Sequence, residues 1–158
     1  MTIKVGQTMP LGTLKTKTDD GVIQIAADEF FQGKKVVLFA VPGAFTPGCT
    51  QVHLPSYVDQ ANAILAKGFD IIACLAVNDA WVMDAWSKAY DPEARVFMLA
   101  DGSADYVKAL GLELDLTAHG MGIRSKRFSM IVNDGVVESI NLDDRAIEST
   151  AASYTCGL

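Results

Sequence analysis

The chain is predicted to fold as an α/β protein, with a central mixed β-sheet flanked by helices and an N-terminal β-hairpin extension. Three observations carry that prediction. Apolar runs at Val36–Ala40, Phe69–Val77 and Arg95–Ala100 have the length and β-branched content of buried strands. They alternate with stretches of helical period, and strand–helix–strand units give right-handed crossovers with parallel neighbouring strands. Late in the chain, Phe128–Val132 and Val136–Ile140 flank Asn133-Asp134-Gly135, a hairpin signal that adds antiparallel strands and makes the sheet mixed.

In order along the chain, Thr13-Leu14-Lys15-Thr16 and Val22-Ile23-Gln24-Ile25 are joined through Asp20-Gly21 as the first hairpin. Ala26 to Phe31 is a helical turn closed by Gly33, and Lys35–Val41 is the first central strand. Val41 to Thr50 is a strand-to-helix turn, the kind of place where open α/β sheets gather ligands. Thr46 is a good N-cap, and Pro47 suits the first helical position because its missing N–H costs nothing there. The helix from Pro47 to Lys67 has apolar residues at 54, 58, 61, 64 and 65, and Gly68 ends it. Pro55 inside this span predicts a kink, or a break with a restart at Ser56. Asn78-Asp79 cap a helix from Ala80 to Tyr90 that turns residues 82, 83, 85, 86 and 89 inward. After the third strand, Ala104–Leu110 is a helix stopped by Gly111. Residues 112–123 are an irregular Gly-rich loop, and Ile147–Leu158 is a short terminal helix. No repeat or linker interrupts this order, so residues 1–158 are read as a single domain around one core.

Bulk properties narrow the function classes. A formal net charge of −6 argues against nucleic acid as a partner, since phosphate binding needs a basic face. The apolar runs are far short of the roughly 20 residues of a membrane span, and the first residues lack a signal-peptide core. The three cysteines, Cys49, Cys74 and Cys156, contain no C-x-x-C pair, which leaves no thioredoxin-type dithiol and no zinc ribbon. A reducing, cytoplasmic setting is expected.

Cys49 falls in the first turn of the helix after the first central strand. That register lets Thr46 cap the Cys49 amide and points the positive helix end at the sulfur. Helix N-termini favour anions, so a thiol placed there is biased toward the thiolate, the nucleophilic form. His53, one turn on, could activate the thiol or bind metal, but is read as a hydrogen-bonded helix residue near the site that contributes to its electrostatics. His119 is isolated in the Gly-rich loop, however, so no metal and no other cofactor is expected.

Pro42-x-x-x-Thr46-x-x-Cys49, within Pro42-Gly43-Ala44-Phe45-Thr46-Pro47-Gly48-Cys49 and followed by His53-Leu54-Pro55, resembles the active-site signature of the peroxiredoxins. The match is to the type II, atypical two-cysteine group. It continues through Ala73-Cys74-Leu75-Ala76-Val77-Asn78-Asp79 and Lys126-Arg127-Phe128-Ser129-Met130. The resemblance implies a thioredoxin-like fold and a thiol-dependent peroxidase, acting in antioxidant defence and redox homeostasis, that reduces hydrogen peroxide and organic hydroperoxides through a sulfenic acid at Cys49. It implies catalytic roles for Cys49, Thr46, Pro42 and Arg127, with the peroxide held by Gly48, Thr46 and Arg127. Arg124 is a competitor or supporting partner for Arg127. Homodimers are common in the group, and Phe45 and Trp81 are candidate anchors for pairing, with burial in the core as their other reading.

The sulfenic acid needs a second thiol. Cys74 resembles a resolving cysteine of some plant-type members but sits in an all-apolar strand, and Cys156 near the terminus is the other candidate. The third route is direct attack by glutathione, glutaredoxin or thioredoxin, and this external route is the expectation. A redox sensor or relay, passing Cys49 oxidation to a partner with little turnover, is the alternative. A thioredoxin-fold binding protein with an inert cysteine is the third class.

Overall fold

A computed structural model describes residues 1–143. Strand β1 (Thr13–Thr18) and strand β2 (Gly21–Ala26) pair antiparallel, closed by the Asp20-Gly21 turn that the sequence marks. Helix α1 (Ala27–Phe31) leads to β3 (Lys35–Val41), which takes the boundaries expected of it. Strands β4 (Ile71–Ala76) and β5 (Phe97–Ala100) lie parallel to β3 in turn. The late hairpin of β8 (Arg127–Asn133) and β9 (Val136–Asp143) joins the other side of β3 antiparallel. The seven-stranded order is β2-β1-β5-β4-β3-β8-β9, with β1 antiparallel to β5. This is the thioredoxin-like, mixed sheet that the strand–helix alternation predicted, with the N-terminal hairpin extending the β5 edge.

Burial on both faces explains why the central strands read as continuous apolar runs rather than alternating ones. Val36, Leu38, Ala40, Ala73 and Leu75 join Phe31, Val107 and Leu110 in one core layer. Val37, Phe39, Val41, Ile72 and Cys74 face the opposite layer with Tyr57, Ile64, Met83 and Trp86. Successive side chains of a strand point to opposite faces, so one strand feeds both layers. Among the described residues no helix is long and apolar enough to cross a membrane.

The long helix after Cys49 departs from expectation in an informative way. Pro55 does not start a new segment at Ser56. Instead a π-helical turn (Cys49–His53) precedes it, and the Leu54 N–H donates to the Cys49 carbonyl five residues back. A proline lacks the donor for its own turn and crowds the carbonyl four residues earlier. Widening the turn just ahead of Pro55 accommodates both defects, as single π turns do. Helix α2 (Leu54–Asp59) then runs to a break at Gln60, where φ is −99° and ψ 6°, and α3 (Ala61–Ala66) follows.

Helix α4 (Ala80–Tyr90) begins where predicted, with the Asp79 carboxylate accepting from the Val82 amide at 2.8 Å. Its buried stripe is narrower than expected, made of Ala80, Met83 and Trp86, while Ala85 and Ala89 are exposed. Helix α5 (Asp105–Leu110) ends at Gly111, φ +71°. Residues 112–123 are not an irregular loop. Half of them form β6 (Glu113–Leu116) and the start of β7 (Gly122–Ser125), a two-stranded antiparallel ribbon whose glycines take the left-handed turn conformations. The terminal helix expected at Ile147–Leu158 lies outside the described residues.

Candidate active site

Antiparallel pairing puts the C-terminal end of β3 beside the N-terminal end of β8, with Ala40 opposite Phe128. The chain leaving β3 makes the Pro42–Gly48 turn and enters the π turn at Cys49. Arg127, the first residue of β8, is thereby carried to the cysteine from 78 residues away in sequence: its Nη2 donates to the Cys49 sulfur at 3.2 Å. Both residues are buried, Cys49 at 0% exposure and Arg127 at 1%. A guanidinium in so dry a site sets a fixed positive charge and a donor fork against the sulfur.

The turn itself is braced from several sides. The first i→i−4 bond of the helix runs from the Thr50 amide to the Thr46 carbonyl at 2.9 Å, so the amides of Gly48 and Cys49 precede it. The Thr46 hydroxyl does not act as the expected cap of the Cys49 amide. It donates to the Gly43 carbonyl at 2.7 Å, which commits its proton to the loop and leaves its oxygen as an acceptor. The Ala44 amide donates to the Asn78 side chain at 2.9 Å, tying the loop to the end of β4. On the other side, Trp86 of α4 donates through Nε1 to Thr50 Oγ1 at 3.1 Å, a buried bond.

Arg124 is neither a solvated charge nor a second guanidinium on the sulfur. Half-buried, it donates through Nε to the Met121 carbonyl at 2.9 Å, and through Nη1 to the Val77 carbonyl at 3.2 Å and the Pro42 carbonyl at 3.5 Å. It pins the Pro42 loop and the end of β4 to the β6–β7 ribbon. Gly43 is needed beside it: a Cβ there would come within 3.1 Å of Thr46 Cγ2 and 3.2 Å of Arg124 Nη1.

His53 is a member of the site, and the i+4 spacing from Cys49 is the signal that singled it out. Its Nδ1 lies 2.8 Å from Arg127 Nη1, and its ring is wholly buried. Burial, and then the Arg127 charge, hold its pKa well below the ordinary histidine value. Behind it, Phe39 and Tyr57 stack with ring centres 4.0 Å apart and planes 2° from parallel. Tyr57 was not picked out by the sequence, falling outside the apolar positions 54, 58, 61, 64 and 65 of that helix. Burial pushes its phenol up, with the neighbouring Ser129 side chain opposing.

Cys74 occupies the middle of β4, paired with Phe39 on one side and Met98 on the other. It shares a core layer with Cys49. Burial, then the neighbouring Cys49, push its thiol well up, with Arg127 opposing. Cys156 lies outside the described residues. Phe45 and Trp81 are not core: they are 49% and 64% exposed, and the Phe45 ring sits edge-on to Tyr90 at 6.2 Å. Phe45 also holds a left-handed backbone, φ 65°.

On a thioredoxin-like sheet, a buried helix-start thiol met by an arginine fork is the apparatus of an oxidoreductase that works through cysteine. A model of the Redoxin family matches residues 4–154. Peroxiredoxin-2C of Oryza sativa subsp. japonica is 46% identical over 143 residues, covering 90% of this chain and 88% of that protein. Peroxiredoxin-2B of Arabidopsis thaliana is 43% identical over 142 residues, covering 89% and 88%. Among solved structures, reduced Prx3 from Vibrio vulnificus in complex with hydrogen peroxide superposes with a TM-score of 0.90 at 48% identity, covering 97% of this chain and 94% of that one. The chain belongs to the peroxiredoxins, and within them to the type II group; it is a thiol-dependent peroxidase.

Proposed function

We propose that Cys49 is the peroxidatic residue and that the chain reduces hydrogen peroxide and organic hydroperoxides for antioxidant defence and redox homeostasis. The thiolate attacks the protonated peroxide oxygen, the O–O bond breaks, and that oxygen's proton passes to the departing one, which leaves as water or alcohol; the sulfenate left on sulfur takes a proton from solvent. The sulfur, oxidised by two electrons, becomes the sulfenic acid. Hydroxide and alkoxide are poor leaving groups, so the step needs donors aimed at the charge that develops on the oxygens. Arg127 and the amides of Gly48 and Cys49 are those donors. Thr46 Oγ1 accepts a hydrogen bond from the peroxide O–H, since its own proton is given to Gly43. Pro42, which has no N–H, closes one wall without offering the sulfur a competing donor. The observation that carries this reading is the 3.2 Å contact between the Arg127 guanidinium and the Cys49 sulfur.

The reductant is an external thiol, glutathione with glutaredoxin or thioredoxin. It attacks the sulfenic acid, forms a mixed disulfide and releases water; a second thiol then restores Cys49. Two observations support this route over Cys74. Cys74 is held in the middle of a central strand, and burial keeps its thiol protonated. A disulfide from Cys49 to Cys74 brings their Cα atoms within about 7 Å, which would set the π turn against the β4 backbone. The working form is a cytoplasmic homodimer, with exposed Phe45 and Trp81 at the active-site edge as its anchors.

The test is peroxide consumption with each reductant supplied, alongside mass spectrometry of every cysteine after one equivalent of peroxide. Wild type, Cys49→Ser, Cys74→Ser and Cys156→Ser are compared. Steady turnover abolished only by Cys49→Ser is the expected result. A single oxidation without turnover supports the sensor reading instead, and an intramolecular disulfide in wild type overturns the external-thiol route.

A further inference from the structure

The geometry points to His53 as a positioning residue of the peroxidatic site: a neutral hydrogen-bond acceptor that aims the Arg127 guanidinium at Cys49 without touching substrate. This rests on the reading of Cys49 and Arg127 given above.

A guanidinium has donors and no acceptor, so the 2.8 Å contact between Arg127 Nη1 and His53 Nδ1 runs from arginine to histidine. Nδ1 is therefore the unprotonated nitrogen, and the neutral ring carries its proton on Nε2. The same contact removes the other role open to a histidine at this spacing. Its one acceptor nitrogen already receives the arginine, so His53 is not the base that takes the Cys49 proton.

The fork explains what the contact accomplishes. The two terminal nitrogens of Arg127 are fixed in one plane, with Nη1 on His53 and Nη2 on the Cys49 sulfur. Cys49 and His53 are the first and last residues of the π turn, so one helical turn presents both ends of the fork's target. With Nη1 held, swinging the guanidinium away from the sulfur breaks a second buried bond.

His53 is itself held. Its ring packs against Phe39 of β3 at 4.9 Å and Tyr57 of α2 at 5.7 Å between ring centres. Both members of the Arg127–His53 pair are buried, at 1% and 0% exposure, so water does not compete for either. Burial and the adjacent guanidinium keep the ring in the neutral form that accepting requires.

The experiment uses the full chain and reads the single-turnover rate of Cys49 oxidation by hydrogen peroxide. His53→Leu, His53→Asn, His53→Gln, Arg127→Ala and the His53→Leu/Arg127→Ala double variant are compared. Losing a buried hydrogen bond to a charged group slows oxidation on the order of ten- to a hundredfold in His53→Leu. Asparagine places an amide oxygen close to the Nδ1 position and stays within about threefold of wild type, whereas glutamine, one methylene longer, is slow like leucine. This polar pair keeps the comparison valid if the leucine variant folds poorly. The double variant is no slower than Arg127→Ala alone, because His53 acts through the arginine. Wild-type speed in both His53→Leu and His53→Gln, or losses that multiply in the double variant, overturns the inference. Cys49→Ser separates the two readings. If it keeps peroxidase activity, the Cys49 assignment falls. If it is dead while the His53 variants match wild type, only the positioning role falls.

Discussion

Replacing Arg127 by alanine removes a guanidinium nitrogen 3.2 Å from the Cys49 sulfur, in a site where both residues are buried. At that separation and an effective dielectric of about 20, the attraction between a full positive charge and a thiolate is about 5 kcal/mol. Removing both groups from water offsets much of it, and hydrogen bonds involving a charged partner retain roughly 1.5–3 kcal/mol. At about 1.4 kcal/mol for each factor of ten, oxidation of Cys49 slows roughly ten- to a hundredfold. The assay is the rate of Cys49 alkylation by iodoacetamide across pH, read by intact mass, together with the rate of oxidation by stoichiometric peroxide. A urea denaturation curve of each variant shows that the fold is retained. Arg127→Lys recovers only part of the loss, because one ammonium cannot span sulfur and imidazole as the fork does. If Arg127→Ala alkylates and oxidises at wild-type rates, the guanidinium is not what activates this cysteine.

Thr46→Val removes the oxygen assigned to the peroxide proton and slows oxidation by about tenfold or more, while Thr46→Ser keeps most of the rate; equal rates for valine and serine would remove that role. Trp86→Phe deletes the buried bond to Thr50 at 3.1 Å and costs about 1–3 kcal/mol, read as a lower urea midpoint at unchanged slope. The folded-state pKa of His53 lies below its ordinary value of 6.5, so the unfolded chain binds the proton that the folded chain refuses. Its contribution to stability is therefore present above about pH 6.5 and is lost as the pH falls toward the depressed value. Melting temperatures should decline from that point down, and His53→Asn should flatten the decline; identical acid limbs would contradict the assignment.

What the sequence showed and what it hid divide along physical lines. Strand β3 and the Asn133-Asp134-Gly135 hairpin were legible because burial and turn chemistry are local properties of the residues that carry them. The ribbon over 112–123 was not, since its glycines mark turns as readily in a loop as between two short strands. Pro55 announced a defect, but whether a helix yields by a kink, a restart or a π turn depends on what packs against it, and here Trp86 braces the turn at Thr50. At the site, Cys49 and Arg127 were marked by their neighbours in sequence. The bonds of Arg124 to the Pro42 and Val77 carbonyls and of Arg127 to His53 join segments that no local pattern connects.

The pairing of β3 with β8 also bears on the life of the chain before it is complete. Cys49 and Arg127 are 78 residues apart, and what brings them together is the antiparallel register of two strands made at very different times. A nascent chain that has emerged only as far as β5 carries the cysteine, the Thr46 turn and His53, but not Arg127. At that stage the sulfur lacks the donor that Arg127 brings. On the role proposed for Arg127, full reactivity arrives with the last hairpin, and peroxide sensitivity appears with the finished sheet.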